Sequence, residues 1–344
     1  MQELIDIQKK LYPDLLEVIQ ERYMLMQHIE RLQPIGRRSL SDNTKLTERH
    51  VRSEVDVLSR QGLINMSSKG MLLTKEGKLV IDQLAVFMHE MMGLSVLERQ
   101  LKDILQRDNI VVVPGNSDEQ EWVKQEMGKA CVTFLKENVS SDRTMAVTGG
   151  TTMAAIAEMM SPFDGDTECL FVPARGGIGE KEENQANTIA AKMARQAKGS
   201  YRLLYVPDPL SESSYRTMMK EPAVIDILKI IQGSDIVLHG IGDAITMAKR
   251  RKTSNDIMRK LREKEAVSEA FGYYFNAAGE VVHKVRTIGI HLDDLSESSQ
   301  LVITVAGGKS KARAITSYFK QGRSDLLITD EAAAEAILRE NPSL

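Results

Sequence analysis

Two pairs of adjacent glycines, each followed by hydroxyl or basic side chains, are the strongest chemical signal in this sequence. The first is Gly149-Gly-Thr-Thr152, after the apolar run 145–147, and the second is Gly307-Gly-Lys-Ser-Lys311, after a run that ends at Ala306. A glycine turn between a strand and a helix lets the backbone approach a ligand. The free N–H groups at the helix start then attract an anion, most often a phosphate. The first turn alone is equally compatible with a plain strand-to-helix connection that binds nothing.

Further glycine-rich or basic segments follow other apolar runs. They are Pro173-Ala-Arg-Gly-Gly177, His239-Gly-Ile-Gly-Asp243 and the cluster Lys249-Arg-Arg-Lys252. None of these segments has the spacing of a Walker A loop or of a dinucleotide-binding fingerprint. Together with the two glycine turns they favour a phosphorylated ligand, whereas the 249–252 cluster alone fits a solvated basic surface equally well.

Strands and helices that would position these turns alternate from residue 108 to residue 344. The alternation predicts a Rossmann-like α/β domain, with a mostly parallel sheet covered on both faces. Ligands of such sheets bind at the carboxyl ends of the strands, where the glycine turns lie. The predicted strands are 110–113, 144–147, 168–172, 202–206, 236–238, 287–290, 301–306 and 326–328. The predicted helices are 118–138, 152–160, 183–198, 223–231, 254–264, 309–321 and 330–339.

Residues 1–73 carry a different pattern, that of a winged helix-turn-helix. Helices are predicted at 3–32, 37–41 and 48–60, followed by a short hairpin that ends at Leu73. The alternative is a small helical domain that serves in dimerisation or protein interaction. The segment 74–107 is predicted to be a helical linker, and such helices often pair subunits in regulators, with two recognition helices about one DNA turn apart.

The predicted helix 48–60 has the two faces that a recognition helix needs. Val51, Val55 and Leu58 fall within about 60° of one another, so they form the core face. Arginines on the opposite face can reach phosphates or the acceptor edge of guanine. The residues predicted to contact double-stranded operator DNA are Arg37, Arg38, Ser39, Thr47, Arg49, His50, Arg52, Ser53 and Lys69.

Composition fits a globular protein with two or three domains, since the chain has 344 residues with 42% apolar and 27% charged residues. The net charge is −3, but residues 31–70 carry eight basic against four acidic residues, an excess that suits an anionic partner. Cys131 and Cys169 lack metal-site spacing and are predicted to be core thiols in a reducing cytoplasm. No signal peptide is recognisable, and no apolar run approaches the ~20 residues of a membrane helix.

With these motifs in place, the sequence resembles the SorC family of bacterial sugar-responsive transcription regulators. The resemblance covers nearly the whole chain and includes the segments 35–40, 54–63, 148–152, 173–177, 239–243 and 306–311. It implies a repressor of a glycolytic operon that leaves its operator when fructose-1,6-bisphosphate accumulates. It also implies that the large domain shares the fold of glucosamine-6-phosphate deaminases and ribose-5-phosphate isomerases, and that the chain acts as a homodimer or homotetramer.

The resemblance also assigns effector-binding residues. One phosphate would be held by Gly149, Gly150, Thr151, Thr152 and Lys311, with Lys309 as a competing lysine in the same loop. The sugar and the other phosphate would be held by Arg175, Gln185, Arg250, Arg251 and Glu269.

An enzyme on the same fold is the competing hypothesis. Deaminase-like enzymes continue the Gly-Ile-Gly-Asp turn into Gly-His, whose imidazole transfers a proton, but here Asp243 is followed by Ala244 and Ile245. Without that histidine a general acid–base pair is hard to assemble. The sequence therefore predicts a sensor with no catalytic residues, no metal and no cofactor.

Overall fold

The computed structural model describes residues 7–8, 10–165, 167–177, 181–296 and 300–341. It divides the chain into two compact units, Met1–Val96 and Leu97–Leu344. This division falls within the segment 74–107 that the sequence predicts as a linker. Part of the predicted first helix, at 3–6 and 9, lies outside the described residues.

The first unit is a winged helix-turn-helix, as predicted. Leu25, Leu40, Val55 and Met71 are fully buried in its core, which its helices and its hairpin share. An isolated antiparallel bridge joins Ile35 to Met71 and ties the hairpin to the chain before the second helix. The elements are α1 (Pro13–Leu32), α2 (Arg37–Thr44), α3 (Glu48–Arg60), β1 (Ile64–Ser67), β2 (Gly70–Leu73) and α4 (Lys75–Met91).

Two residues define the turn between α2 and α3. Lys45 follows α2 in the left-handed region at φ 59°, a conformation that glycine often supplies in such turns. Thr47 caps α3, because its side-chain oxygen accepts a hydrogen bond from the N–H of His50 at 3.3 Å. Because the helical conformation ends only at Lys45, α2 continues to Thr44, beyond the predicted end at residue 41.

The second unit is built on a parallel sheet, which confirms the predicted α/β fold. Its strands are β3 (Ile110–Val113), β4 (Thr144–Val147), β5 (Leu170–Pro173), β6 (Ser200–Tyr201), β7 (Ile236–His239), β8 (Gly242–Asp243), β9 (Ala266–Ala270), β10 (Tyr273–Asn276), β11 (Val281–Lys284), β12 (Leu301–Val305) and β13 (Leu326–Asp330). Seven of them form the parallel sheet in the order β3-β13-β12-β7-β4-β5-β6. A smaller antiparallel sheet has the order β11-β10-β9-β8.

Helices pack against the parallel sheet around a core that includes Met127, Val147, Leu238 and Ile303, all fully buried. The helices from residue 94 onward are α5 (Leu94–Leu105), α6 (Glu121–Asn138), α7 (Thr151–Met159), α8 (Ala186–Ala197), α9 (Glu212–Met218), α10 (Pro222–Gln232), α11 (Ala244–Arg250), α12 (Asn255–Glu263), α13 (Leu292–Ser296), α14 (Ala312–Phe319) and α15 (Glu331–Glu340). Of these, α11 and α12 pack against the smaller sheet. The predicted helix 309–321 begins instead as a 3₁₀ turn, Lys309–Lys311, before α14.

Two predicted strands are wrong. The edge strand was predicted at 202–206, but the observed strand β6 ends at Tyr201. Beyond it, the side-chain amide of Asn187 bonds both the N–H and the C=O of Leu204, at 3.1 and 3.0 Å. The segment 287–290 makes only a single bridge, Gly289 to Arg175, where it crosses the chain beyond β5. The sequence analysis also missed the hairpin β10–β11, although the apolar runs on either side of Asn276–Gly279 are typical of one.

Both cysteines are free and buried, as predicted. Among the described residues no single helix is long and apolar enough to span a membrane, and α4 and α5 pass that test only as a bent pair.

Candidate functional site

A cavity of about 400 Å³ lies at the carboxyl ends of β4, β5, β7 and β12. Every residue predicted to bind the effector lines it, although the residues come from six separate parts of the chain. They are Gly149, Gly150, Thr151, Thr152, Arg175, Gln185, Arg250, Arg251, Glu269 and Lys311. The structure thus brings the ten residues together, and the contact of each with a ligand stays a prediction.

The turn between β4 and α7 is open toward this cavity. Gly150 has φ 120°, a conformation that residues with a side chain rarely adopt, and its N–H donates to the carbonyl of Asn184 at 2.9 Å. Because a glycine stands at the N-cap, no side chain caps α7. Helix geometry leaves the N–H groups of Thr151, Thr152 and Met153 without an acceptor inside the helix, and these residues line the cavity. This arrangement suits an anion.

The second glycine turn, 307–311, is occupied by carboxylates of the same chain. The N–H of Gly308 donates to Asp330 Oδ2 at 2.7 Å. The N–H and the hydroxyl of Ser310 donate to the two carboxylate oxygens of Asp118, at 2.8 and 2.9 Å. This turn therefore resembles the first in its backbone, as predicted, but the donors of Gly308 and Ser310 already have acceptors within the chain.

Lys311 supplies a positive charge next to the occupied turn. It lines the cavity and is half-buried, whereas Lys309 is exposed and lies outside the cavity lining. The ammonium of Lys311 makes no hydrogen bond or ion pair to another described residue. Burial lowers the pKa of Lys311, and the charges of Lys124 and Arg250 lower it further against the opposing effect of Asp118. A bound dianion would offset this electrostatic repulsion between neighbouring cations.

A buried network of two arginines and two carboxylates forms part of the cavity wall. Glu269 accepts from Arg251 Nη2 at 2.9 Å, from Arg175 Nη1 at 3.4 Å and from the N–H of Gly272 at 2.6 Å. Arg175 also pairs with Asp208, and Arg251 Nη1 donates to the hydroxyl of Tyr274 at 3.0 Å. All four charged groups are buried, and the two guanidinium groups balance the two carboxylates in formal charge.

The electrostatics of this network favour its ionised form. Burial alone would raise the pKa of Glu269, but the charges of Arg251 and Arg175 outweigh burial and hold the pKa below its usual value. Three buried polar atoms at the cavity have no partner among the described residues: Thr148 Oγ1 and the Nε atoms of Arg175 and Arg251. A polar ligand or ordered water would supply the missing partners.

Histidine and cysteine are absent from the described residues that line the cavity. His239, at the end of β7, is 1% exposed and lies within 2.8 Å of Thr304 Oγ1. Burial lowers the pKa of His239 to about 4, so the imidazole is neutral at physiological pH. No group of three or more metal-ligating side chains occurs in the part of the chain that the structure describes.

Sequence reasoning missed the acidic residues that shape the site. Asp118 follows Gly115-Asn-Ser117 at the carboxyl end of β3, a turn-rich sequence after a strand that was a usable signal. Asp330 ends β13, caps α15 through Ala333 and accepts from Ser117. Asp208 lies in a loop with no local pattern that points to Arg175.

In the first unit, three of the predicted DNA-contacting residues already have internal roles. Arg37 Nη2 donates to Asp56 Oδ1 at 3.1 Å, His50 pairs with Glu21, and Thr47 caps α3. The others are exposed and make no side-chain ion pair with a described residue: Arg38, Ser39, Arg49, Arg52, Ser53 and Lys69. These form a candidate nucleic-acid interface on α2, α3 and the hairpin turn.

Comparison with known proteins gives this architecture a family. Residues 18–88 match the family described as the CggR N-terminal DNA binding domain, and residues 89–339 match the putative sugar-binding domain family. A putative SorC family transcriptional regulator from Enterococcus faecalis has a crystal structure that superimposes with a TM-score of 0.67 at 43% identity, over 70% of this chain and 99% of that one. The chain belongs to the SorC family of transcription regulators.

Two full-length relatives of this SorC-family chain are central glycolytic genes regulators. The protein from Priestia megaterium is 52% identical over 99% of both chains. The protein from Bacillus subtilis is 49% identical over 99% of this chain and the whole of the relative. The family that the sequence motifs indicated is thus confirmed, and the chain is a regulator with a DNA-binding and a sugar-binding domain rather than an enzyme.

Proposed function

We propose that this regulator represses a glycolytic operon and leaves its operator when fructose-1,6-bisphosphate fills the cavity of the second unit. The observation that carries the proposal is the convergence of ten residues from six chain segments on one cavity. The two full-length relatives are named for central glycolytic genes, which supports the target operon.

The cavity has two regions suited to two phosphates. The open turn offers the N–H groups and hydroxyls of Thr151 and Thr152, with Lys311 nearby, for one dianion. Arg250 is exposed at the end of α11 and lies in the same lining as Gln185, which suits the second phosphate. Arg175 and Arg251 are held by Glu269, so they contribute fixed donors to the sugar rather than uncompensated charge.

Operator binding is assigned to the first unit. Arg38, Arg49, Arg52 and Lys69 are exposed and able to reach phosphates or base edges of a duplex. A homodimer or homotetramer presents two such units to half-sites about one DNA turn apart. The bisphosphate weakens operator binding by favouring a quaternary arrangement in which the recognition helices lose that spacing, since a ligand shifts only an equilibrium whose states it binds unequally.

The test is operator affinity measured by fluorescence anisotropy, with and without fructose-1,6-bisphosphate, on a duplex defined by footprinting. We expect the bisphosphate to weaken wild-type binding and fructose to have no effect. Arg52→Ala should weaken operator binding about 10- to 100-fold, the size of one lost base or phosphate contact of about 1–3 kcal/mol. The ligand-induced rise in melting temperature should be unchanged in Arg52→Ala, because the site lies in the other unit.

Arg339→Ala is the matched control. It removes an exposed arginine of α15, which pairs with Glu335 and lies outside the cavity lining. It should alter neither operator binding nor the ligand response. If the bisphosphate binds wild-type protein but leaves operator affinity unchanged, the proposed regulation is wrong.

A further inference from the structure

Asp118 occupies the donors of the 307–311 turn as a ligand's anionic group would. Its two oxygens accept from the N–H and the hydroxyl of the same residue, Ser310, at 2.8 and 2.9 Å. A Cβ atom at Gly308 would collide with this carboxylate, so the carboxylate lies directly against the backbone. A carboxylate that accepts two hydrogen bonds from a glycine turn at a strand end reproduces the contacts of one edge of a phosphate.

The two carboxylates at this turn differ in how firmly they are held. Asp330 is fully buried and accepts from the N–H groups of Ser117, Gly308 and Ala333 at 2.7–2.9 Å. Asp118 is exposed, and among the described residues its carboxylate accepts hydrogen bonds from Ser310 alone. Asp330 is therefore a permanent part of the fold, whereas Asp118 can be replaced by another anion at the cost of two hydrogen bonds to solvent-accessible groups.

The charges around Asp118 favour such a replacement by a dianion. Asp118, Ser310, Lys311 and Lys124 all line the same cavity. Lys311 interacts with the charges of both Asp118 and Lys124. A singly charged group gains little over the carboxylate that it displaces, because it brings the same charge and the same two acceptor oxygens. A phosphate dianion brings one more charge and a third oxygen to the neighbouring ammonium.

We infer that Asp118 is a selectivity-determining residue: an internal competitor that a phosphate dianion must displace from Ser310 before the cavity is filled. The inference rests on the proposed function, since it concerns the same site. Because of this competition, neutral sugars and monoanionic sugar acids bind too weakly to displace Asp118. Displacement also removes the two hydrogen bonds by which Asp118 ties the segment 116–120 to the 307–311 turn, while Ser117 stays bonded to Asp330.

The opposite role for Asp118 is to hold the turn in its binding-ready shape. The two roles predict changes of opposite sign. Removing a competitor strengthens the binding of phosphorylated ligands, whereas removing a support weakens it. Asp118 is exposed and lies outside the hydrophobic core, so its variants are expected to fold, and a thermal melt of each verifies this.

The experiment is isothermal titration of wild type, Asp118→Asn and Asp118→Ala with fructose-1,6-bisphosphate and, separately, with inorganic phosphate. Asp118→Ala should bind the bisphosphate about tenfold more tightly, the equivalent of one charge-assisted hydrogen bond no longer lost in competition. Asp118→Asn should change affinity in the same direction by a smaller factor. Gluconate, a monoanion, should bind Asp118→Ala detectably and wild type not at all.

Glu119→Gln is the matched control, because it removes a neighbouring exposed carboxylate that makes no contact with Ser310. Its bisphosphate affinity should equal that of wild type. If Asp118→Ala binds more weakly than wild type or equally well, or if Glu119→Gln tightens binding as much, the inference about Asp118 is overturned while the proposed function stands. If wild type and both Asp118 variants fail to bind the bisphosphate, the proposed function itself fails.

Discussion

The two glycine turns of the second unit have the same backbone design and opposite occupancy. The turn 149–152 follows β4 and leaves the first N–H groups of α7 facing the cavity without a side-chain acceptor. The turn 307–311 follows β12, and its N–H groups at Gly308 and Ser310 are bonded to Asp330 and Asp118. A glycine turn creates donors, and the acidic residues of the surrounding fold decide whether those donors remain available to a ligand.

The same contrast extends to the charged side chains of the cavity. Arg175 and Arg251 are neutralised by Glu269 and Asp208, whereas Lys311 makes no ion pair with a described carboxylate. The paired arginines hold the shape of the site before a ligand binds. Lys311 gains its compensating charge from the ligand, so it should contribute more to the affinity for the ligand.

The largest expected effect is a loss of stability on breaking the buried ion pairs of Arg175 and Arg251. Glu269→Gln should destabilise the second unit by about 3–5 kcal/mol, because it leaves two buried guanidinium groups short of a negative charge. The measurement is urea unfolding followed by circular dichroism. Glu280→Gln, which alters an exposed carboxylate on the neighbouring hairpin, should cost less than about 0.5 kcal/mol. Equal stability of the Glu269 variant and wild type would show that the arginines need no internal counter-charge.

A smaller effect should come from the open turn. Thr152→Val keeps the shape of a buried side chain and removes a hydroxyl that bonds no described residue. We expect the affinity for fructose-1,6-bisphosphate to fall about tenfold, by the loss of one hydrogen bond to a charged group, with little change in unfolding free energy. Titration calorimetry and urea unfolding separate the two quantities.

Thr217→Val serves as its control, since among the described residues that hydroxyl bonds only the carbonyl of Ser213 in its own helix, and it lies outside the cavity. The comparison between the turns predicts a loss of affinity without a loss of stability for Thr152→Val. A loss of stability without a loss of affinity would show that the 149–152 turn serves the fold, as the ion pairs of Arg175 and Arg251 do, and does not contact the ligand.

The smallest expected effect is a pH dependence carried by Lys311. Its pKa lies below the usual 10.5 in the free protein, and a bound dianion should raise it. Ligand affinity is then constant while Lys311 is protonated and falls as the pH rises through the free-state pKa. We expect a small loss of affinity between pH 8 and pH 10, reduced by solvent screening.

Lys311→Arg should flatten this profile, because guanidinium stays charged over the whole range. Lys309→Arg is the matched control and should keep the wild-type profile, since Lys309 lies outside the cavity lining. A profile that Lys309→Arg flattens instead would assign the phosphate contact to the other lysine of the loop.

The central strands were predictable because each is a short, continuous apolar run. The strands predicted at 110–113 and 144–147 agree with Ile110–Val113 and Thr144–Val147, and those near 236 and 326 agree at their first residues. Strands buried on both faces must be apolar throughout, so composition alone reports them. The winged helix was predictable for a related reason, since its recognition helix has a clear apolar face.

Edge and crossing segments were not predictable in the same way. The chain at 202–206 is apolar enough for a strand, but Asn187, on a different helix, takes the hydrogen bonds of Leu204. The segment 287–290 is also apolar enough for a strand, but it makes only a single bridge, from Gly289 to Arg175. In both places a partner from elsewhere in the chain decides between conformations that the local residues allow.

By itself, the sequence determined where glycines open the backbone at strand ends and which face of α3 is charged, because turn conformation and helical periodicity are local properties. Only the tertiary structure decided which of those donors are occupied. Ser310 and Asp118 are 192 positions apart, and Arg175 and Glu269 are 94 apart. Hydrogen bonds and ion pairs act over a few ångströms of space, whereas a sequence records only distance along the chain.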